Sequence, residues 1–241
     1  MALVLQNLSI ITMNDNRDIT SGDIVIQGDK ISSIETNAKT SSEDHVFDFS
    51  GRTATPGFIQ SHIHLCQTLL RNEADEMVLL DWLKNKVWPF EAAHTETTLY
   101  DSARLGIAEL ILGGTTTILD MGTVHHTDSI FKAASEMGIR ATIGKTIMDY
   151  PSPEIPKPLQ EKTANALKES ENLARTWHDT GEKRLRYGYA PRFAVCCTEE
   201  ALVGSAERAK DLGTPLHTHA SENTDEISIV RERTNLGNIE Y

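Results

Sequence analysis

Apolar and polar positions alternate through the first fifty residues, and the period then changes. "LVLQNLSIITM" and "DIVIQGDKISSIE" carry hydrophobic residues at every second place, the pattern of half-buried strands. Gly28-Asp29 interrupts the second and predicts a hairpin turn, and "HVFDFSG" adds a third such piece. From Pro56 onward, short apolar runs alternate with longer stretches at helical spacing. Strands are expected near residues 58–64, 115–121, 140–148, 185–190 and 215–220. Between them, "TETTLYDSARLGIAELILGG" puts Leu99, Ala103, Gly106 and Leu110 on one face and closes at Gly113-Gly114, a C-cap signal. "SENLARTWHDTG" and "TEEALVGSAERAKDLG" also stop at glycine, and Thr198 reads as an N-cap followed by two glutamates. Half of the eight prolines fall in residues 151–158, a rigid loop and not a linker, because the strand–helix rhythm resumes after it.

The change of rhythm divides the chain into a β segment, residues 1–55, and an α/β portion, residues 56–241. Five strand–helix units in series predict a parallel sheet with helices outside, either doubly wound or a (β/α)8 barrel. No G-x-G-x-x-G or Walker A sequence follows a strand, which removes the usual phosphate-binding reason for a doubly wound sheet. A barrel takes roughly 250 residues, so the portion after Pro56 holds about five of eight units.

Composition narrows the function classes. The formal charge of −12 argues against a nucleic-acid or anionic-membrane partner, since both demand clustered Lys and Arg. Three cysteines, two of them adjacent, make a poor disulfide framework. The N-terminus lacks a basic n-region, and no apolar run approaches a membrane span. A cytoplasmic protein acting on small molecules is expected.

Two histidine pairs carry the chemistry. In "PGFIQSHIHLCQTLLR", His62 and His64 share one face of the first barrel strand, because strand side chains alternate. "PLHTHASE" repeats the arrangement with His217 and His219, and Glu222 follows three residues on. In a parallel barrel both sets converge at the C-terminal mouth. A single histidine in an apolar strand is ordinarily a hydrogen-bonded core residue. Four at two strand ends need a shared partner, and one divalent metal supplies it for neutral rings. His62, His64 and His219 are the expected ligands, with His217 either an orienting neighbour or a substrate contact. Three imidazoles with an open position describe a catalytic site, where Glu222 would carry a proton between water and substrate. Glu222 is alternatively a first-turn or capping glutamate of the following helix. His125-His126 either line the pocket or form a solvated loop pair.

These residues resemble the amidohydrolase superfamily and, within it, the cytosine/guanine deaminase-like branch, whose relatives include triazine hydrolases. "PGFIQSHIHL" is similar to the strand-one metal motif, "HTHASE" to the strand-five His-x-x-Glu, and "GTTTILDMG" and "LLDWLKNKVWPFEAAH" to the second strand and first excursion. The resemblance implies a TIM-type barrel, here its first five units, with a small N-terminal β-sandwich-like segment. It implies that Gln67 and the Arg192-Phe193 pair in "PRF" hold a purine-like base, with His217 among the substrate contacts. Their chemistry fits: Gln67 offers donor and acceptor, Arg192 a planar fork, and Phe193 a stacking face. Nucleoside deaminases of the group usually carry His where Arg192 stands. No lysine occurs in "LRYGYAPRF" to bridge a second metal, and Lys145 lies on strand three, so one ion is expected, zinc first and iron as the alternative.

The implied activity is hydrolytic deamination of an aminated N-heterocycle, guanine-type first. The alternatives are dechlorination or deamination of an s-triazine-like ring, an adenosine-type nucleoside substrate, or a catalytically incomplete fragment. Family members carry a further His after strand six and a metal-bound Asp after strand eight, which have no counterpart before Tyr241. A complementary C-terminal polypeptide is therefore expected, as is a homo-oligomer of the complete enzyme. Cys66 and Cys196-Cys197 are expected to pack.

Overall fold

Residues 1–73 and 76–241 are described in the computed structural model. The chain divides into two units, Met1–Gly57 and Phe58–Tyr241. The first is built from β1 (Leu3–Ile11), β2 (Ile19–Gln27), β3 (Lys30–Glu35), β4 (His45–Asp48) and β5 (Thr53–Ala54). They form one sheet in the order β3-β2-β1-β4, with β5 also pairing β1. The expected two-layer sandwich is thus a single sheet among the described residues. Alternation buries Leu8, Ile10 and Ile24 on one face, a cluster too small to need a second sheet over it. The hairpin forms where Gly28-Asp29 predicts it: Gln27 pairs with Lys30, and Gly28 takes φ 61°.

The second unit begins at β6 (Phe58–Ile63). An excursion follows through α1 (Leu79–Trp82), a π-helical turn at Leu83–Val87 and α2 (Trp88–Ala92). Next come α3 (Glu96–Leu112), β7 (Thr115–Asp120), α4 (Thr127–Met137), β8 (Arg140–Ile143), β9 (Thr146–Ile147), α5 (Thr163–Trp177) and a single turn α6 (Thr180–Lys183). Finally come β10 (Leu185–Tyr187), β11 (Ala190–Pro191), α7 (Glu199–Leu212) and α8 (Thr224–Thr234). Strands β6, β7, β8 and β10 are parallel neighbours in chain order, and β9 pairs β11. Each strand adds to the same edge with no reversal, which is barrel winding and not the doubly wound order. The side chains of His62 on β6 and His217 on the fifth segment lie 2.7 Å apart, so the sheet curls until side chains from its first and last positions meet across the arc. It forms an open arc, with no closed barrel among the described residues.

Three boundaries depart from expectation. The strand expected at 140–148 is two short pieces, β8 and β9. Residues 215–220 pair only through isolated bridges, Tyr189 with Leu216 and Phe193 with His219. A step of two, His217 to His219, meets a step of three, Tyr189 to Arg192, on the neighbour, and Pro191 has no N–H to give, so the ladder is irregular. The helix expected to stop at Gly181 ends at Trp177, whose ring stacks on Phe131 and donates to Asp128 Oδ1 at 2.7 Å. His178 leaves the helix to accept Tyr187 N–H. Tertiary contacts there outweigh the local glycine signal.

Helix α7 follows its sequence closely: Thr198 Oγ1 accepts from Ala201 N, and Gly213 closes the helix in the left-handed region. Outside the sheet, Leu99, Ala103 and Ile107 of α3 pack with Ile118, Phe131, Ile143 and Tyr187. A second cluster, including Val87, Trp88, Ile147, Phe193, Cys196 and Cys197, lies under the carboxyl ends of the strands. All three cysteines are free and buried. At the arc's edge Phe58 and Ile59 are 63% and 72% exposed. Among the described residues no helix is long and apolar enough to cross a membrane.

Candidate active site

The end of β6 and the segment after β11 bring four imidazoles together. His62 and His64 leave β6 on one face, as strand alternation requires, and their centroids stand 4.9 Å apart. His219 stacks on His64 at 5.2 Å, with the two Nε2 atoms 3.2 Å apart. The ligand atoms of His62, His64 and His219 all lie within 4.8 Å of one another.

The protonation chemistry suits a cation. Burial, and then the nearby Arg192 charge, holds His64 well below the ordinary imidazole value. Burial likewise takes His219 and His217 down to about 4. Neutral rings carry the lone pairs a metal needs. His219 Nδ1 donates to the Arg192 carbonyl at 2.8 Å, which fixes the tautomer and leaves Nε2 as the free acceptor. His64 Nδ1 is buried with no partner among the described residues, so nothing holds His64 Nε2 protonated. Tetrahedral zinc at about 2.0–2.1 Å separates its nitrogens by roughly 3.3 Å, close to the 3.2 Å between the two Nε2 atoms. The donor set therefore fits one such ion.

His217 stands behind this cluster. It is buried, with Nε2 at 2.7 Å from His62 Nδ1, and is not among the residues lining the cavity. This contact fits the orienting place of the two expected: with His62 Nδ1–H as the donor, His62 Nε2 is left free for a metal.

In front of the imidazoles lies a cavity of about 200 Å³ bounded by Gln67, Leu79, Trp82, Leu83, Arg192, Phe193 and Glu222. Glu222 stands at its open side, and burial and then Glu226 raise its carboxyl above the ordinary value. It does not cap α8: Asn223 does, accepting from Asp225 N. Glu226 holds the Glu222 backbone N–H at 2.7 Å and so fixes this turn. Phe193 is buried, edge-on to His219.

Arg192 carries a partner that no sequence pattern singled out. Its NH1 and NH2 donate to Glu91 Oε2 and Oε1 at 2.6 and 3.2 Å, and Gln67 Nε2 donates to Oε1 at 2.9 Å. Burial works against the Arg192 charge, but Glu91 outweighs it and holds the guanidinium above its ordinary value. The π turn brings Glu91 here: Trp88 N–H bonds Leu83 O, five residues back. Eight residues of plain helix would set Glu91 roughly 80° away from Leu83. The extra residue in the wider turn removes roughly 100° of rotation and returns Glu91 to the face that carries Leu83. A mid-helix Pro89 is the one visible signal for that irregularity.

The remaining sequence candidates lie elsewhere. His125 Nε2 donates to the Pro158 carbonyl, and His126 faces Glu96, so neither lines the cavity. Lys145 is fully buried, with Nζ on Glu161 Oε2 at 2.6 Å, and is likewise outside it. Cys66 packs against Gly122 O and Glu91, and burial pushes its thiol up. A larger cleft of about 700 Å³ beside α7 and α8 gathers no such chemistry: its Arg233 is spent on Val195 O and the Tyr150 ring.

Comparison with known proteins agrees with this geometry. The Amidohydrolase family model matches residues 53–240. The 5-methylthioadenosine/S-adenosylhomocysteine deaminase of Thermoanaerobacter pseudethanolicus is 33% identical over 94% of this chain and 51% of its own length. The guanine deaminase of C. acetobutylicum with bound guanine superimposes with TM-score 0.83 at 26% identity, over 98% of this chain and 57% of that one. Triazine hydrolase from Arthrobacter aurescens, at 23% identity, shares the fold with TM-score 0.91 over 99% of this chain and 57% of its own. The chain thus spans about half the length of the curated relatives it matches, and it belongs to the amidohydrolase family.

Proposed function

We propose that this chain contributes the metal site and the substrate wall of an aminohydrolase that releases ammonia from an aminated, purine-like heterocycle. The observation that carries the proposal is the cluster of His62, His64 and His219 opening onto a cavity that holds Glu222, Gln67, Arg192 and Phe193. Zinc, held by those three imidazoles, would supply Lewis-acid activation of water. Glu222, with its raised pKa, would protonate the ring nitrogen beside the amino-bearing carbon and then the departing amine. Phe193 gives an apolar surface for the ring, and Gln67 and Arg192 meet its polar edge. The likeness to guanine deaminase supports a purine-type ring.

A nucleoside is the second reading, favoured by the 33% identity to a methylthioadenosine deaminase. Against it stands Arg192, whose ion pair with Glu91 fills the wall. A complementary polypeptide covering the arc's exposed edge at Phe58 and Ile59, and supplying the proton-accepting Asp, belongs to the same proposal. The test pairs zinc content with ammonia release from guanine, from adenosine-type nucleosides and from aminotriazines, with chloride scored in parallel on chlorotriazines. Glu222→Gln should retain zinc and abolish turnover; a variant that keeps its rate removes Glu222 from the chemistry.

A further inference from the structure

Glu91 touches two of the side chains that line the cavity and controls what each can offer. Arg192 takes both of its oxygens, and Gln67 Nε2 shares Oε1. A carboxylate facing a guanidinium across both oxygens can only accept, so the Gln67 amide is obliged to turn its NH2 group toward it. The Gln67 carbonyl oxygen then has no protein partner among the described residues, and Gln67 borders the cavity. Beside it Arg192 keeps N–H groups beyond the two that Glu91 takes. The wall pairs one acceptor with one donor.

We propose that Glu91 is the positioning residue that sets the specificity of this cavity. By fixing the Gln67 amide and the Arg192 guanidinium, it makes the wall read a lactam edge, N–H beside C=O. It rejects the reversed edge, a ring nitrogen beside an amino group. This rests on the reading of the cavity as a site for an aminated purine-like ring. Seated the same way round, with its five-membered ring on the same side of the wall, the reversed edge sets acceptor against acceptor and donor against donor. Turned over, it pairs only by carrying the five-membered ring to the opposite side. Leaving buried polar groups unpaired costs affinity on the order of tenfold or more. Without Glu91 the Gln67 amide can rotate and present either end, and the preference collapses.

Hypoxanthine and adenine differ only at that edge, and their binding can be followed by titration calorimetry on the zinc-loaded chain without turnover of a leaving group on the lactam ring. The wild-type chain should bind hypoxanthine at least about tenfold more tightly than adenine. In Glu91→Gln the ratio should fall toward one at unchanged zinc content. Because that variant leaves a buried guanidinium short of its counter-ion, Gln67→Leu is measured beside it; it spares the ion pair and should also erase the preference. A ratio of two affinities on one preparation is independent of the folded fraction, so a purely structural role for Glu91 leaves it unmoved. An unchanged ratio in either zinc-loaded variant overturns the proposal and leaves the aminohydrolase reading standing. A wild-type, zinc-loaded chain that binds neither ring overturns both.

Discussion

Arg192→Met removes a charge from one of the least accessible ion pairs in the molecule and keeps the length of the side chain. The two side chains are 3% and 1% exposed, and the fork is bidentate at 2.6 and 3.2 Å. After the substitution Glu91 retains the Gln67 amide and the Cys66 thiol, which do not compensate a buried carboxylate. Breaking a buried pair on one side costs about 3–5 kcal/mol. At roughly 2–4 °C per kcal/mol for a chain of this size, the melting temperature should fall by about 6–20 °C. Replacing both partners, Arg192→Met with Glu91→Leu, takes away the two desolvated charges together and should come back to within about 2 kcal/mol of wild type. Arg71→Met is the control: Arg71 and Glu109 pair at 2.8 Å with side chains 55% and 46% exposed, and the loss there should stay below about 1 kcal/mol. Urea denaturation and thermal melts of the metal-free wild type, the two single variants Arg192→Met and Glu91→Leu, the double variant and Arg71→Met measure these differences. The reasoning fails if Arg192→Met costs no more than Arg71→Met, or if the double variant loses the sum of the singles.

Three further outcomes follow from particular contacts. His219 is pushed down to about 4, so protons compete for that ligand only near that value; bound zinc should survive dialysis at pH 5.5 and be lost near pH 4, as read by elemental analysis. His217 is likewise pushed down to about 4. Their folded values lie below the unfolded one, so the stability they confer is complete above about pH 6.5 and declines as pH falls toward 4. Gly106→Ala sets about 1 kcal/mol of helix propensity against a Cβ that would sit 2.6 Å from Thr68 Oγ1 and 2.9 Å from Leu65 Cδ2. Overpacking of about 1–3 kcal/mol should win and, through Leu65, should also weaken zinc binding at His64, whereas a stabilised variant would refute the packing account. Thr198→Ala removes the α7 cap and the hydroxyl bond to Asp149 and should lower stability by about 1–2 kcal/mol in thermal melts.

How far the sequence reached depended on whether a feature was local. The His-x-His spacing, the Thr198 cap and the Gly28 turn are properties of a few adjacent residues, where strand alternation or a left-handed φ leaves little choice. The helix ends at Trp177 and not at Gly181 because the stacking of its ring on Phe131 and its indole hydrogen bond to Asp128 of another helix outweigh a glycine four residues on. The fifth segment departs from a regular strand for a related reason, since Pro191 on a neighbouring segment breaks the ladder it would have joined.

The alternation of apolar residues, followed by strand–helix units and two histidine pairs, determined on its own a β segment, a parallel sheet and the place where a metal could sit. The histidines had to be grouped by sequence because the face on which a strand side chain points is set by its parity alone. Tertiary structure decided what lies behind them. His217 meets His62 because the sheet curls enough to bring the side chains of its first and fifth positions within 2.7 Å. Glu91 joins Gln67 and Arg192 because a π turn shifts its phase by one residue and the strand ends bring together groups 101 positions apart. Partners so distant in sequence leave no mark in any local period, since only the tertiary fold brings them into contact.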